Sequence, residues 1–209
     1  MRSLLLGCSV VLLCAVAAAQ TPPRSFPGAE VRPLIDQLEQ IDQKGMVRDS
    51  VPQFGEQFSS AVRWLKQARV PDQVPETLVR SLKTDIALLT GKSSPKGREF
   101  AVEDVIWKGQ LCRQSPEGLG AGVSVSVRTL VETKESPGWE VVFKTAPEME
   151  DPSIPPIPFP KFSSPTDNKL PAGRYVFWAR DSNDAKRSGP NRQVPVQQQS
   201  VTIDLTAPK

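Results

Sequence analysis

The chain of 209 residues contains no histidine and a single tyrosine, Tyr175. Without histidine, Ser-His-Asp and Cys-His nucleophilic catalysis lose their general base, and zinc loses its commonest ligand. Cysteine is scarce as well, with only Cys8, Cys14 and Cys112. Two of these fall in the first nineteen residues, so a processed chain keeps Cys112 alone and forms no internal disulfide. A structural zinc site is close to excluded for the same reason. The formal net charge is only +3 and is spread along the chain, which gives no electrostatic footprint for nucleic acid. Carboxylates, lysines, serines and Tyr175 remain, so a Ser-Lys hydrolase or a two-carboxylate glycosidase stays open as chemistry.

Long apolar runs are limited to one, at the start. Leu4 to Val16 follows the positive Arg2 and is shorter than the roughly 20 residues a bilayer requires. Ala17-Ala18-Ala19 supplies the small side chains a signal peptidase accepts, leaving Gln20 as the new N-terminus. Residues 1–19 therefore read as a signal peptide, and the protein as secreted or periplasmic. Lipid attachment does not fit, since Cys14 follows a leucine and Cys8 has too short an apolar run before it. No later stretch reaches membrane-spanning length, so no membrane span is expected after signal removal.

After a linker at 20–29, two halves with different periods follow. Residues 30–97 read as a helical segment. Val31, Leu34, Ile35, Leu38 and Ile41 form one stripe, with Pro33 in the first turn and Gly45 as the stop. A second helix is expected from Ser50-Val51-Pro52-Gln53, a capping-box pattern, with Phe54, Phe58, Ala61, Val62 and Leu65 buried. A third begins near Pro75, buries Leu78, Val79, Leu82, Ile86 and Leu89, and is capped by Gly91. Gly91-Lys92-Ser93 is not a phosphate loop, because Ile86 stands where its first glycine belongs. Lys92 to Arg98 reads as a polar linker.

Residues 98–209 read as a β-sandwich domain with a Pro-rich insertion at 147–171. Residues 100–112 fit either period: Val105, Trp107 and Leu111 share one strand face, and a helical reading also holds. Val123, Val125, Val127, Thr129 and Val131 then alternate with polar residues as a half-buried strand. Glu135-Ser136-Pro137-Gly138 is a turn signal, followed by the alternation of Trp139, Val141 and Phe143. Arg174 to Arg180 and Val201 to Leu205 are further strands, and Val194-Pro195-Val196 an edge piece. No helical crossovers separate them, which favours an antiparallel sheet. The strand 174–180 is apolar on both faces and implies a second covering layer, most simply the helices. Trp178 is either packed beneath that cover or an exposed platform for a sugar. Tyr175, after the turn Leu170-Pro171-Ala172-Gly173, suits a structural corner whose hydroxyl bonds nearby backbone. The fold class expected is α+β, a three-helix segment packed on an antiparallel β-sandwich.

The run Leu170-Pro-Ala-Gly-Arg-Tyr-Val-Phe-Trp-Ala179, a turn containing Gly189, and Val201-Thr-Ile-Asp-Leu205 resemble the last half of carboxypeptidase-regulatory-like domains. Gly122-Val-Ser-Val-Ser-Val127 resembles their first strand. The resemblance covers about half the mature chain. It implies a small transthyretin-like or immunoglobulin-like sandwich of secreted and envelope proteins, without catalytic residues to transfer. The insertion between Ala146 and Leu170 departs from that pattern.

Within the insertion, Pro152, Pro155, Pro156, Pro158, Pro160 and Pro165 oppose regular helix or strand. Phe159 and Phe162 either pin it to the sandwich or contact a ligand. Glu148, Glu150 and Asp151 are weak calcium candidates without a matching loop motif. Asp181-Ser182-Asn183-Asp184 reads as a hairpin turn. The ligand-contacting residues expected are Trp139, Phe159, Phe162 and Trp178, with no catalytic residue and no cofactor. The reading is an exported, non-catalytic interaction module whose partner is an envelope protein or polysaccharide. The competing reading is a carbohydrate-active hydrolase using the loop carboxylates, which would need two acids across a cleft. No motif encodes the oligomeric state.

Overall fold

A computed structural model describes residues 25–197 and 200–208. The expected signal peptide lies outside the described residues. The protein is mixed helix and strand, of α+β type, with several sheets. A short antiparallel pair, β1 (Ser25–Pro27) with β2 (Gln73–Pro75), clasps the helical region. That region contains α1 (Val31–Gln43), α2 (Met46–Ser50), α3 (Gly55–Gln67), α4 (Glu76–Thr90) and α5 (Pro95–Gln114). All five residues of the expected α1 stripe are buried, and Gly45 with φ +70 turns the chain out of the helix. The α4 stripe is buried in full as well.

The helical region differs from the expected three helices in three ways. The Ser50 hydroxyl donates to the Met46 carbonyl inside α2, so it caps nothing, and α3 begins only after a 3-10 turn at Pro52–Phe54. Gly91 is extended, with φ −91 and ψ −174, so α4 ends without a left-handed cap. The largest difference is α5. Residues 98–114, assigned to the sheet half, continue a helix that starts at Pro95. Ser94 caps it by accepting from the Gly97 N–H at 3.1 Å. Ala101, Val102, Val105 and Ile106 are buried at helical spacing. Gly109 lets α5 meet α3 at close range: a Cβ there would fall 2.7 Å from the Ala61 Cβ. The linker expected at 92–98 is thus the junction of two packed helices.

The remainder forms two four-stranded sheets. In one, β3 (Val123–Val131) pairs with β4 (Lys134–Glu135), β7 (Thr166–Leu170) and β10 (Val201–Thr206). In the other, the order is β6 (Ile157–Pro158), β5 (Glu140–Thr145), β8 (Gly173–Arg180) and β9 (Arg192–Val196). The arrangement is not wholly antiparallel, because β10 runs parallel to β3. The β3–β4 hairpin also turns earlier than expected, at Glu132 with φ +59 rather than at 135–138. The Pro-rich insertion is more regular than its prolines suggest: β7 places its five residues against β3, where no proline is needed as a donor. Pro195 does sit on an edge strand.

Two apolar cores result. One is made by the helices, around Leu38, Phe58, Leu65 and Leu82. The other receives Val125, Val127, Ile203 and Leu205 from one sheet, and Val141, Phe143, Tyr175 and Phe177 from the other. Where the helices meet the sheets, Leu111 of α5 packs against the second core, and charged pairs cross beside it.

Candidate functional site

The four expected ligand-contacting residues do not converge. Phe159 is a core residue. Its ring meets Phe143 edge-on at 5.5 Å and Phe177 at 6.0 Å, and it is 5% exposed. The free energy of burying an aromatic side chain outweighs the extended habit of the surrounding prolines. Phe162 is half-buried, and its carbonyl accepts from the Gly138 N–H. Trp139 and Trp178 lie on opposite faces of the same sheet. Trp139 shares the inner face with Val141 and Phe143, donates to the Ser136 hydroxyl at 3.4 Å and faces the Arg187 guanidinium. Trp178 points outward beside Val142 and is half-buried. The two indoles therefore cannot share one flat ligand.

The loop acids other than Glu150 are likewise occupied one by one. Glu148 is buried, grips Arg80 of α4 through two 3.0 Å bonds and accepts from the Thr145 N–H. Asp151 accepts from the Ser153 N–H and hydroxyl, which holds its carboxyl below the usual range. Glu150 is exposed. Glu148 thus turns away from the calcium set expected with Glu150 and Asp151. Among the described residues no group of three or more His, Cys, Asp or Glu side chains is placed to hold a metal. Asp181 and Asp184 accept from the Asn183 and Lys186 N–H groups, as turn residues do.

What does converge is a charged seam between helices and sheet. Arg174, at the start of β8, donates through Nη1 to Asp104 at 2.9 Å and to the Phe100 carbonyl at 3.2 Å, and through Nη2 to Glu103. Its backbone N–H donates to the other oxygen of Asp104 at 3.0 Å. Its guanidinium carbon lies 4.2 Å from the Phe100 ring and 4.5 Å from the Trp107 ring, both on α5. One turn further along α5, Lys108 donates to Asp85 of α4 at 2.8 Å, with both side chains at most 3% exposed. Arg80 and Glu148 make a second crossing. Beside the seam the Tyr175 hydroxyl donates to the Pro171 carbonyl at 2.8 Å, the corner expected from the sequence.

Burial governs the electrostatics here. It pushes the Asp85 carboxyl up to about 7 against the pull of Lys108, and raises Asp104 despite Lys108 and Arg174. The Tyr175 phenol is pushed well up, first by burial and then by Asp104, Asp85 and Glu148, so it stays a donor. The seam holds four acids, Asp85, Glu103, Asp104 and Glu148, and three bases, Arg80, Lys108 and Arg174, and each already has its partner. Asp85, Asp104 and Lys108 were missed because residues 100–112 were left open between strand and helix, and only the helix makes the i, i+4 pair on α5. The signal was Glu103-Asp104 four residues before Lys108, which only a helix brings together.

Compared with known proteins, the chain matches no family model and no curated relative. Among the described residues no helix is long and apolar enough to cross a membrane.

Proposed function

We propose that this chain is an exported, non-catalytic binding module, a β-sandwich of carboxypeptidase-regulatory-like type fronted by a helical layer, whose partner is a protein of the cell envelope. The observation that carries the reading is the engagement of the acids. Glu148, Asp151, Asp181 and Asp184 each hold a turn or an ion pair. A glycosidase keeps two such groups facing substrate across a gap of about 5 to 10 Å. The separation of Trp139 and Trp178 on two faces favours a protein over a polysaccharide, since sugar platforms use aromatic faces that lie together. The tyrosine corner and the paired sheets support the likeness to the regulatory modules.

Two experiments test this. The first 24 residues, fused to a reporter that is active only after export, direct it out of the cytoplasm; retention inside would overturn the localisation. The mature chain, incubated with chromogenic glycosides and isolated envelope polysaccharide, releases no reducing ends. Release that disappears in Glu150→Gln/Asp151→Asn would establish the hydrolase instead.

A further inference from the structure

The C-terminal ends of α3 and α5 lie side by side, about one turn beyond Lys108. The turn after α5 folds back on the residues after α3. The Leu119 N–H donates to the Arg69 carbonyl at 2.9 Å. Gly118, with φ +59, sits so near that a Cβ would fall 2.4 Å from that carbonyl oxygen. These contacts fix the walls of a cleft of about 280 Å³, lined among others by Trp64, Ala68, Arg69, Cys112, Arg113 and Pro116.

Two cations open onto this cleft, and Glu117, in the turn that walls it, pairs instead with Lys169 at 3.3 Å. Among the described residues neither Arg69 nor Arg113 has an ion-pair partner. The residues outside that range contain no aspartate or glutamate. Arg113 lies in the last turn of α5, whereas Arg69 stands beyond the end of α3. The carbonyls of Lys66, in the last turn of α3, and of Ala68, just past it, already accept from Arg32 at 2.6 and 3.1 Å. Arg113 is held in place: its guanidinium carbon stands 4.8 Å from the centre of the Trp64 ring. A stacked guanidinium keeps its donor edge free and has lost much of its rotamer freedom beforehand. Such an edge matches the two oxygens of a carboxylate.

We propose that this cleft binds an organic carboxylate with a short apolar body, its oxygens held by Arg69 and Arg113 and its body lying among Trp64, Ala68, Cys112 and Pro116. The size suits a short ligand, because sites for drug-sized molecules start at roughly 300 Å³. The Cys112 thiol adds no competing negative charge, since burial pushes it up to about 12. The acid is either free or the C-terminal carboxylate of a peptide. The cleft is independent of export and of the loop acids, so its failure would leave the module reading standing.

The test is ¹⁹F NMR of the protein labelled at tryptophan, with Trp64 assigned by Trp64→Phe. 3-Phenylpropionate shifts the Trp64 resonance and leaves those of Trp107, Trp139 and Trp178 in place. Arg113→Gln and Arg69→Gln each weaken binding by about tenfold or more. Both residues are exposed, so the variants keep their fold. Arg113→Lys, which keeps the charge but loses the fork, also binds more weakly. An acetylated tripeptide with a free C-terminal leucine separates the two sources: tighter binding than 3-phenylpropionate assigns a peptide terminus, and weaker binding a free acid. Equal binding of 3-phenylpropanamide, an equal response to inorganic phosphate, or no response of Trp64 would overturn the proposal.

Discussion

Replacing Arg174 by methionine probes the seam at its centre. The substitution keeps the apolar stem that lies between Phe100 and Trp107 and removes the charge. The cost is set by what stays behind. Glu103 is 26% exposed in its side chain and can turn to water, so its loss counts for little. Asp104 is 6% exposed and keeps only the Arg174 backbone N–H and the nearby Lys108. Removing one partner of a buried pair costs about 3–5 kcal/mol, because the other charge is left desolvated. Chemical denaturation should show a loss of that size, equivalent to about 10 °C in melting temperature for a chain of this length. In Asp104→Asn/Arg174→Met the stranded carboxylate is gone, and the double variant should be about 1–2 kcal/mol more stable than the sum of the singles implies. A loss under about 1 kcal/mol for Arg174→Met, or strict additivity, would refute the view that this pair joins the two layers.

Three further outcomes follow from the same geometry. Phe159→Ala should lose about 3–5 kcal/mol by leaving a cavity beside Phe143 and Phe177, while Trp178→Ala, on the half-exposed outer face, loses clearly less; comparable losses in thermal melts would contradict the core assignment of Phe159. Tyr175→Phe should cost about 1 kcal/mol or more through the unpaired Pro171 carbonyl, and unchanged denaturation would dismiss the corner. Asp85 is held above its ordinary range in the native state, so the folded protein keeps a proton that the unfolded chain gives up. Its contribution to stability therefore declines as pH rises from about 4 to about 7 and is level above that. Asp85→Asn should remove that portion of the pH dependence, and an unaltered slope between pH 4 and 7 would show that Asp85 titrates as an exposed acid does.

The parts of this fold that local pattern controls were legible. The stripes of α1 and α4 and the alternation of β3 were readable because each element buries one face, and the period of that face is in the side chains themselves. Tyr175 was readable because a turn before a strand leaves a nearby carbonyl for its hydroxyl. Residues 100–112 were not, since α5 is packed on both the helices and β8, and an element covered on several sides has no single period to read. The parallel pairing of β10 with β3 depends on a partner about 75 residues away and leaves no local mark. Phe159 shows the same limit from another side: proline describes what the backbone of the insertion avoids, and only the fold decides which ring enters the core. The seam combined both difficulties. Arg174 stood at the end of an expected strand and nothing local marked Asp104 or Lys108, until a helix and a strand brought Arg174 within 2.9 Å of Asp104.

Native-state hydrogen exchange tests the central claim most directly, that a charged seam makes the helices and sheets one cooperative unit. The amides of α5 and β8, and the Arg174 N–H that donates to Asp104, should exchange with one common opening free energy and lose protection together in Arg174→Met. Helical amides that open on their own, at markedly lower free energy than those of β8 and unaffected by that substitution, would contradict it.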